Sequence, residues 1–311
     1  LEYFCKEERL TRKKRDHHPF LSLEKAFKES KGRIDYAVIS SPVKTDPFND
    51  YLESYLNKKL NKQVIRLCDH HHLTHASLCF YNSGFNEALS VIIDRNGSYH
   101  ERIRESETIF NCSYPNTFET LYKSFWLDKI GVNEDVYNFK KVKEVCKGFD
   151  CEIIAESTMN ITKGYETATV LIGEHPLENG KTMGLAAYGK KSKQNNLFVN
   201  GIPNTNLFIT NNDFNQTVLQ KKHAHKLTKN LRKGNYKFYA DYAYHVQKQT
   251  QEQVFQLVKK YVDKTKQTNV CISGGYGLNV VTNEYLVKML PEVNFYFEPL
   301  ADDSGNSIGA A

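Results

Sequence analysis

His71 and His75 stand four residues apart in the run His70-His71-His72-Leu73-Thr74-His75. On a helix that spacing puts two imidazoles on one face, close enough to share a metal ion. A metal needs further ligands. Asp94 ends the apolar stretch Glu87–Asp94, where a strand end can present a carboxylate, and Asp303 in Ala-Asp-Asp-Ser-Gly is a second candidate. Two imidazoles with one or two carboxylates make a nitrogen and oxygen site suited to iron, manganese or zinc. His70 and His72 compete for the same role, and spacing alone does not choose within the run.

Three glycine-bearing segments could hold a ligand. Residues 269–279, NVCISGGYGLN, read as a strand, a tight turn at Gly274-Gly275 and a helix start. Glycines there let a ligand approach the backbone, the helix N-terminus offers free N–H groups, and Asn279 can hydrogen-bond a ribose or base. Asp94-Arg95-Asn96-Gly97-Ser98 resembles the phosphate loops of actin-like ATPases, although a plain hairpin turn explains it equally well. In Gly180–Gly189, GKTMGLAAYG, Lys181 and Gly184 mark a candidate close-approach loop around a cofactor. It is not a Walker A sequence, and Gly189 reads equally as a helix C-cap. The charge run Lys6–Asp16 is a solvated loop or, with Lys13 and its neighbours, an anion-facing one.

The elements that must position these residues alternate between strand and helix. Helices are predicted over Leu21–Ser30, His70–Tyr81, Phe118–Trp126, Tyr239–Lys264 and Leu278–Leu290, with another starting in Gly305–Ala311. Strands are predicted over Asp35–Ser40, Val64–Cys68, Asn269–Ser273 and Phe295–Phe297. Glu87–Asp94 and a return strand Ser98–Arg104 form a hairpin about Asn96-Gly97. This order argues an α/β fold with a mixed sheet. Residues 194–222 are rich in Asn and Gln and read as an insertion, followed by a basic stretch Lys221–Lys237. The 311 residues allow one large domain or two ordinary ones, and 40% hydrophobic with 25% charged residues exclude general disorder. The net charge of +6 is too mild to announce a nucleic-acid binder. No stretch approaches the ~20 apolar residues of a membrane span, and the first residues carry no apolar signal-peptide core. Seven cysteines without a CxxC pair point to free thiols in a reducing cytosol.

Taken together, these segments resemble the NodU/CmcH-type O-carbamoyltransferases along almost the whole chain. KEERLTRKKRD, HHLTHASLCFYNSGFNEAL, SVIIDRNGS, GKTMGLAAYG, CISGGYGLN and EPLADDSGNSIGAA are similar to the family's motifs and stand in its order. The resemblance implies an actin-like ATPase fold of two related mixed-sheet lobes, with a lobe boundary near 235–240, kin to the tRNA threonylcarbamoyl transferases. It implies a metal, usually iron, on His71, His75 and Asp303, with Asp94 beside the metal and phosphates. Gly274, Gly275 and Asn279 then fall on the nucleotide-binding element. The activity implied is transfer of a carbamoyl group from carbamoyl-adenylate, made from carbamoyl phosphate and ATP, to a hydroxyl of a small molecule or glycan. His75 and Asp94 would be its catalytic residues. Alternatives are a tRNA threonylcarbamoyl transferase and a nucleotide-binding module without catalysis. Arg95 stands where the family has Gly, and Ala187 where it has Pro. Family members also carry a first strand and phosphate loop before the EEER segment and a YrdC-like domain after the GAA helix, so residues 1–311 are expected to be the transfer half alone.

Overall fold

The computed structural model describes residues 5–13, 16, 18–31, 33–43, 46–100, 103–127, 146–157, 161–192, 198–199, 202–203 and 236–311. In chain order they form α1 (Glu7–Thr11), α2 (Phe20–Glu29), β1 (Val38–Ser40), α3 (Pro47–Leu60), β2 (Ile65–Leu67) and α4 (His71–Ser83). The strands β3 (Glu87–Ile93), β4 (Tyr99–His100), β5 (Ile103–Ser113), β6 (Thr117–Leu127) and β7 (Glu152–Ser157) follow. Then come α5 (Ile161–Ile172), α6 (Asn179–Ala186), β8 (Phe198–Val199), β9 (Ile202–Pro203) and α7 (Tyr236–Thr265). The order closes with β10 (Asn269–Ser273), α8 (Val280–Met289), β11 (Asn294–Phe297) and α9 (Asn306–Gly309).

One seven-stranded mixed sheet organises these elements, in the order β11-β10-β3-β5-β6-β7 with β4 added to β5. Strand β3 is parallel to β10 and antiparallel to β5. Its residues alternate between two cores, as the strand period requires. Leu89, Val91 and Ile93 join the larger core with Val246, Val254 and Val258 of α7. Ala88 and Ile92 face Ala76, Cys79 and Phe80 of α4. Strand β10 repeats the division, with Val270 and Ile272 in the larger core and Cys271 on the α4 side. The larger core draws on residues either side of 235–240. A smaller core of Ile39, Leu52, Leu56 and Val64 ties α3 to the parallel pair β1–β2.

The turn after α4 fixes where the chemistry falls. Gly84 takes a left-handed φ of 73° and ends the helix, so β3 runs back along it. A helix of 13 residues spans ~20 Å and a strand of seven ~23 Å. The first turn of α4 is therefore brought to the carboxyl ends of β3 and β10. Glu7 anchors the N-terminal segment to the same body: it is buried, and its carboxylate accepts from the N–H groups of Leu21 (2.9 Å) and Ser22 (2.8 Å) at the start of α2.

Several sequence expectations are corrected. Phe118–Trp126 is not a helix but most of β6. Phe118, Leu121, Tyr122 and Phe125 mimic helical spacing because two register irregularities between β5 and β6 break strict alternation. The return strand is not Ser98–Arg104. Tyr99–His100 folds onto the start of β5, and Glu107–Ser113 pairs with β3. The charge run 6–16 contains a short helix, α1. Helix α3 was missed although Asp46 caps it, accepting from Phe48 N–H at 2.9 Å, with Pro47 opening it. Gly180–Ala186 is helix rather than loop. Gly180 and Gly184 have open space around them, and the close approach belongs to Gly189, where a Cβ would meet the Ala240 backbone. The segment 194–222, apart from β8 and β9, and the basic residues His223, His225, Arg232 and Lys233 lie outside the described residues. Among the described residues no helix is long and apolar enough to cross a membrane. All seven cysteines are free thiols.

Two glycines give a contrast in stability. Gly274 has φ 85°, and a Cβ there would lie 2.4 Å from the Ile93 carbonyl oxygen. Gly274→Ala is expected to cost about 2 kcal/mol or more. Gly184→Ala, on an open helical face, is expected to gain about 0.5–1 kcal/mol. Urea denaturation of both variants checks this. Equal effects would contradict the packing described.

Candidate metal centre

Four side chains converge at the carboxyl ends of β3 and β10. His71 and His75 come from the first turns of α4, Asp94 from the end of β3, and Asp303 from the single 3-10 turn before α9. One donor atom from each lies within 4.8 Å of all the others. His71 Nε2 is 3.5 Å from Asp94 Oδ2 and 3.4 Å from Asp303 Oδ1, and His75 Nε2 is 3.6 Å from Asp303 Oδ1. Bonds of ~2.0–2.2 Å to one ion place neighbouring ligand atoms roughly 3–3.6 Å apart, so these residues fit a metal. His71, His75 and Asp94 are buried, while the Asp303 side chain is 69% exposed.

Surrounding groups aim each ligand. His75 Nδ1 sits 3.3 Å from Ser273 Oγ, which leaves Nε2 for the cluster. Ser273 is on the α4 side of β10 because it shares the face of Cys271. Asp94 Oδ1 accepts from Gly275 N–H at 3.1 Å, which turns Oδ2 toward His71. The Asp94 carbonyl accepts from Thr162 Oγ1 at 2.7 Å. Lys6 reaches across to Asp302 at 2.7 Å, beside Asp303. Asn306 at the start of α9 lies 3.1 Å from His75 Nε2.

The helix settles which histidines of the run take part. His71 and His75 share a face. His72 is turned away and buried, its Nδ1 2.7 Å from Thr108 Oγ1, and burial holds it neutral with a pKa lowered to about 3. It borders a separate cavity of about 710 Å³ lined by His100, Glu105, Lys123, Phe118 and Phe149 among others. Burial opposes charge on Glu105, yet His100 and Lys123 hold it ionised. His70 is exposed and precedes the helix.

The remaining candidates are placed differently from the cluster. Gly97 packs on His72, where a Cβ would fall 2.4 Å from the ring. Asn96 Oδ1 is buried and has no hydrogen-bond partner among the described residues. Arg95 pairs with Glu166 of α5, and its carbonyl accepts from Trp126 Nε1 at 2.9 Å. Asn279 is engaged internally: Oδ1 accepts from Thr282 N–H at 3.1 Å, and Nδ2 donates to Gln247 Oε1 at 3.0 Å. Gly275 spends its N–H on Asp94, and Gly274 makes the close approach to Ile93. Lys181 is exposed and pairs with Glu174 (2.7 Å) and Glu178 (2.9 Å), one turn from Gly184. Ser273, Thr162 and Asn306 escaped the sequence reading because only tertiary packing brings them here.

Electrostatics follows from the crowding of carboxylates. Burial alone would lower the His71 pKa, but Asp303 and Asp94 overcome it and raise it to about 10. Burial pushes Asp94 up, yet the two imidazoles hold both it and the exposed Asp303 below the usual carboxylate range. Without metal, His71 therefore keeps a proton at neutral pH. Its folded pKa exceeds the ordinary 6.5, so the stabilisation is complete below that value and is lost as pH rises through about 10. Urea midpoints of metal-free protein should fall from pH 7 to pH 10. Metal affinity should rise about tenfold per pH unit between pH 7 and 9, because one proton must leave. Flat profiles in both would contradict this charge arrangement.

The carbamoyltransferase N-terminus family matches residues 48–311. No curated protein matches the sequence. Full-length HypF in its phosphate- and nucleotide-bound form is similar in structure, with TM-score 0.55 and 15% identity over 95% of this chain and 49% of that one. HypF of T. kodakarensis gives TM-score 0.55 and 14% identity over 95% of this chain and 42% of that one. The chain thus spans about half the length of these HypF chains or less. The likeness carries the fold, an α/β architecture with a mixed sheet. On the family match over 48–311, the chain belongs to the carbamoyltransferase N-terminal family.

Proposed function

We propose that this chain is the transfer module of a metal-dependent O-carbamoyltransferase of NodU/CmcH type. It moves a carbamoyl group from carbamoyl-adenylate to a hydroxyl of a small molecule or glycan. The observation that carries this reading is the buried convergence of His71, His75, Asp94 and Asp303 in a chain of the carbamoyltransferase family. The nucleotide- and phosphate-bound form of HypF supports a nucleotide substrate. Iron, manganese or zinc suits two imidazoles and two carboxylates.

The reaction forms a bond between the acceptor oxygen and the carbamoyl carbon, breaks the bond from that carbon to the phosphate oxygen, and releases AMP and the hydroxyl proton. His71, His75, Asp94 and Asp303 would hold the ion, which when bound supplies Lewis-acid polarisation of a carbonyl or acceptor oxygen. Asp94 stays ionised at neutral pH, with Oδ1 tied to Gly275 and Oδ2 facing His71. A carboxylate held that low is a better ligand than a proton acceptor. Asp303, 69% exposed, would be the ligand that substrates reach first. Lys123, Glu105 and the aromatic rings of the nearby cavity offer donors, acceptors and flat apolar surfaces suited to a hydroxylated acceptor.

We place the making of carbamoyl-adenylate in a separate YrdC-like module. Asn279, Gly274 and Gly275 spend their polar groups within the fold, which favours a chain that binds nucleotide weakly by itself. A cytoplasmic setting suits its seven free thiols.

Metal-loaded protein given carbamoyl-adenylate and a panel of sugars and small alcohols should yield a carbamoylated acceptor detectable by mass spectrometry. Carbamoyl phosphate with ATP should yield none until an activating module is added. His75→Ala should lose metal and turnover together. Turnover by metal-free variant protein would sink the reading. Product on tRNA but on no hydroxylated small molecule would move the assignment to the threonylcarbamoyl class, and nucleotide binding without any transfer would leave a binding module.

A further inference from the structure

Asn306 is a buried side chain that the four-donor cluster does not account for. It is 3% exposed. Its Nδ2 lies 3.1 Å from His75 Nε2 and 3.4 Å from each ring nitrogen of His71. Its Oδ1 is buried and has no hydrogen-bond partner among the described residues.

Packing holds this side chain in place. Helix α9 lies directly on α4, the helix that carries both histidines. A Cβ at Gly309 would fall 1.9 Å from the Thr74 carbonyl oxygen, and one at Gly305 would fall 2.1 Å from the Leu300 carbonyl oxygen and 2.6 Å from Leu78 Cδ2. Only glycine permits that approach, so the backbone of Asn306 has little room to withdraw from the imidazoles.

The chemistry of the amide then depends on what the imidazoles do. Each imidazole Nε2 has one lone pair to give. An amide N–H can donate only to a ring nitrogen whose lone pair is free. A metal held by His71 and His75 takes both lone pairs, which leaves buried N–H donors facing a cation, an arrangement that costs a full desolvation penalty. Turning the amide by about 180° exchanges Nδ2 and Oδ1 with almost no movement of other atoms, and the two orientations differ only in their hydrogen-bond partners. Oδ1 would then stand 3.1–3.4 Å from the histidine donor atoms. Three pairs of the cluster's own donor atoms are separated by 3.4–3.6 Å.

We propose that Asn306 is a further ligand of the metal centre, giving its side-chain carbonyl oxygen as a neutral donor beside His71, His75, Asp94 and Asp303. This rests on the reading of those four residues as a metal site. A neutral oxygen completes the shell without adding a third negative charge to the two carboxylates. The orphaned Oδ1 of the metal-free arrangement becomes the donor of the loaded one.

Cobalt(II) is the probe, because its visible absorption weakens as coordination number rises. Wild-type protein, Asn306→Leu and Asn306→Asp are titrated with Co²⁺, and urea midpoints report folding. Asn306→Leu keeps the volume and removes the oxygen. It should bind Co²⁺ about tenfold or more weakly, with an absorption band several-fold more intense than wild type. Asn306→Asp restores an oxygen and should bind at least as tightly as wild type, with a weak band. A leucine variant with wild-type affinity and spectrum overturns the proposal. If that variant does not fold, a folded aspartate variant that binds Co²⁺ tenfold more weakly than wild type overturns it as well. Wild-type protein that takes up no Co²⁺ overturns the metal site itself, and this inference with it; that outcome is read before any variant is compared.

Discussion

Two carboxylates crowded against two largely buried imidazoles are stable only if positive charge is shared among them. In this chain a proton on His71 does so without metal, and a divalent ion would do so with it. That balance is the constraint on which the rest of the site depends. It keeps Asp94 ionised although burial opposes charge, and Asp303 with it at the exposed edge of the site. A centre with this demand for a cation, in a chain of the carbamoyltransferase family, is the physical basis of the function proposed for it.

The scaffold meets the demand by geometry rather than by flexible loops. Helix α4 turns at Gly84 and lies along β3, which brings its first turn to the strand ends. The Gly274-Gly275 turn presses on Ile93 and gives Asp94 a backbone donor. Ser273 fixes one imidazole, and α9 closes on α4 through Gly305 and Gly309. Each of these contacts comes from a different part of the sequence, and each leaves its ligand few alternatives.

The parts legible in sequence were those set by local periodicity. His71 and His75 were readable because four residues is one helical turn, and the 3.6-residue period also placed His72 on another face once the helix was known. Strands β3 and β10 were readable as short apolar runs ending at an Asp or a Gly pair. Strand β6 was not, since irregular pairing with β5 erased its alternation. The glycine turn at 274–275 looked like a ligand cradle in sequence, yet in the fold it serves Asp94 and Ile93. The amide of Asn279 looked free for a nucleotide, yet Gln247, from the distant helix α7, engages it. Asn306 carried no signal of its own, because its position depends on two glycines packing against a helix more than two hundred residues earlier.

The account's central claim is that a single metal ion belongs between these four side chains. An anomalous difference map from crystals grown with Mn²⁺ or Fe²⁺, collected at that metal's absorption edge, tests it most directly. The account predicts one strong peak within bonding distance of His71 Nε2, His75 Nε2, Asp303 and Asp94. A peak elsewhere, or none in crystals of folded protein saturated with metal, would contradict it.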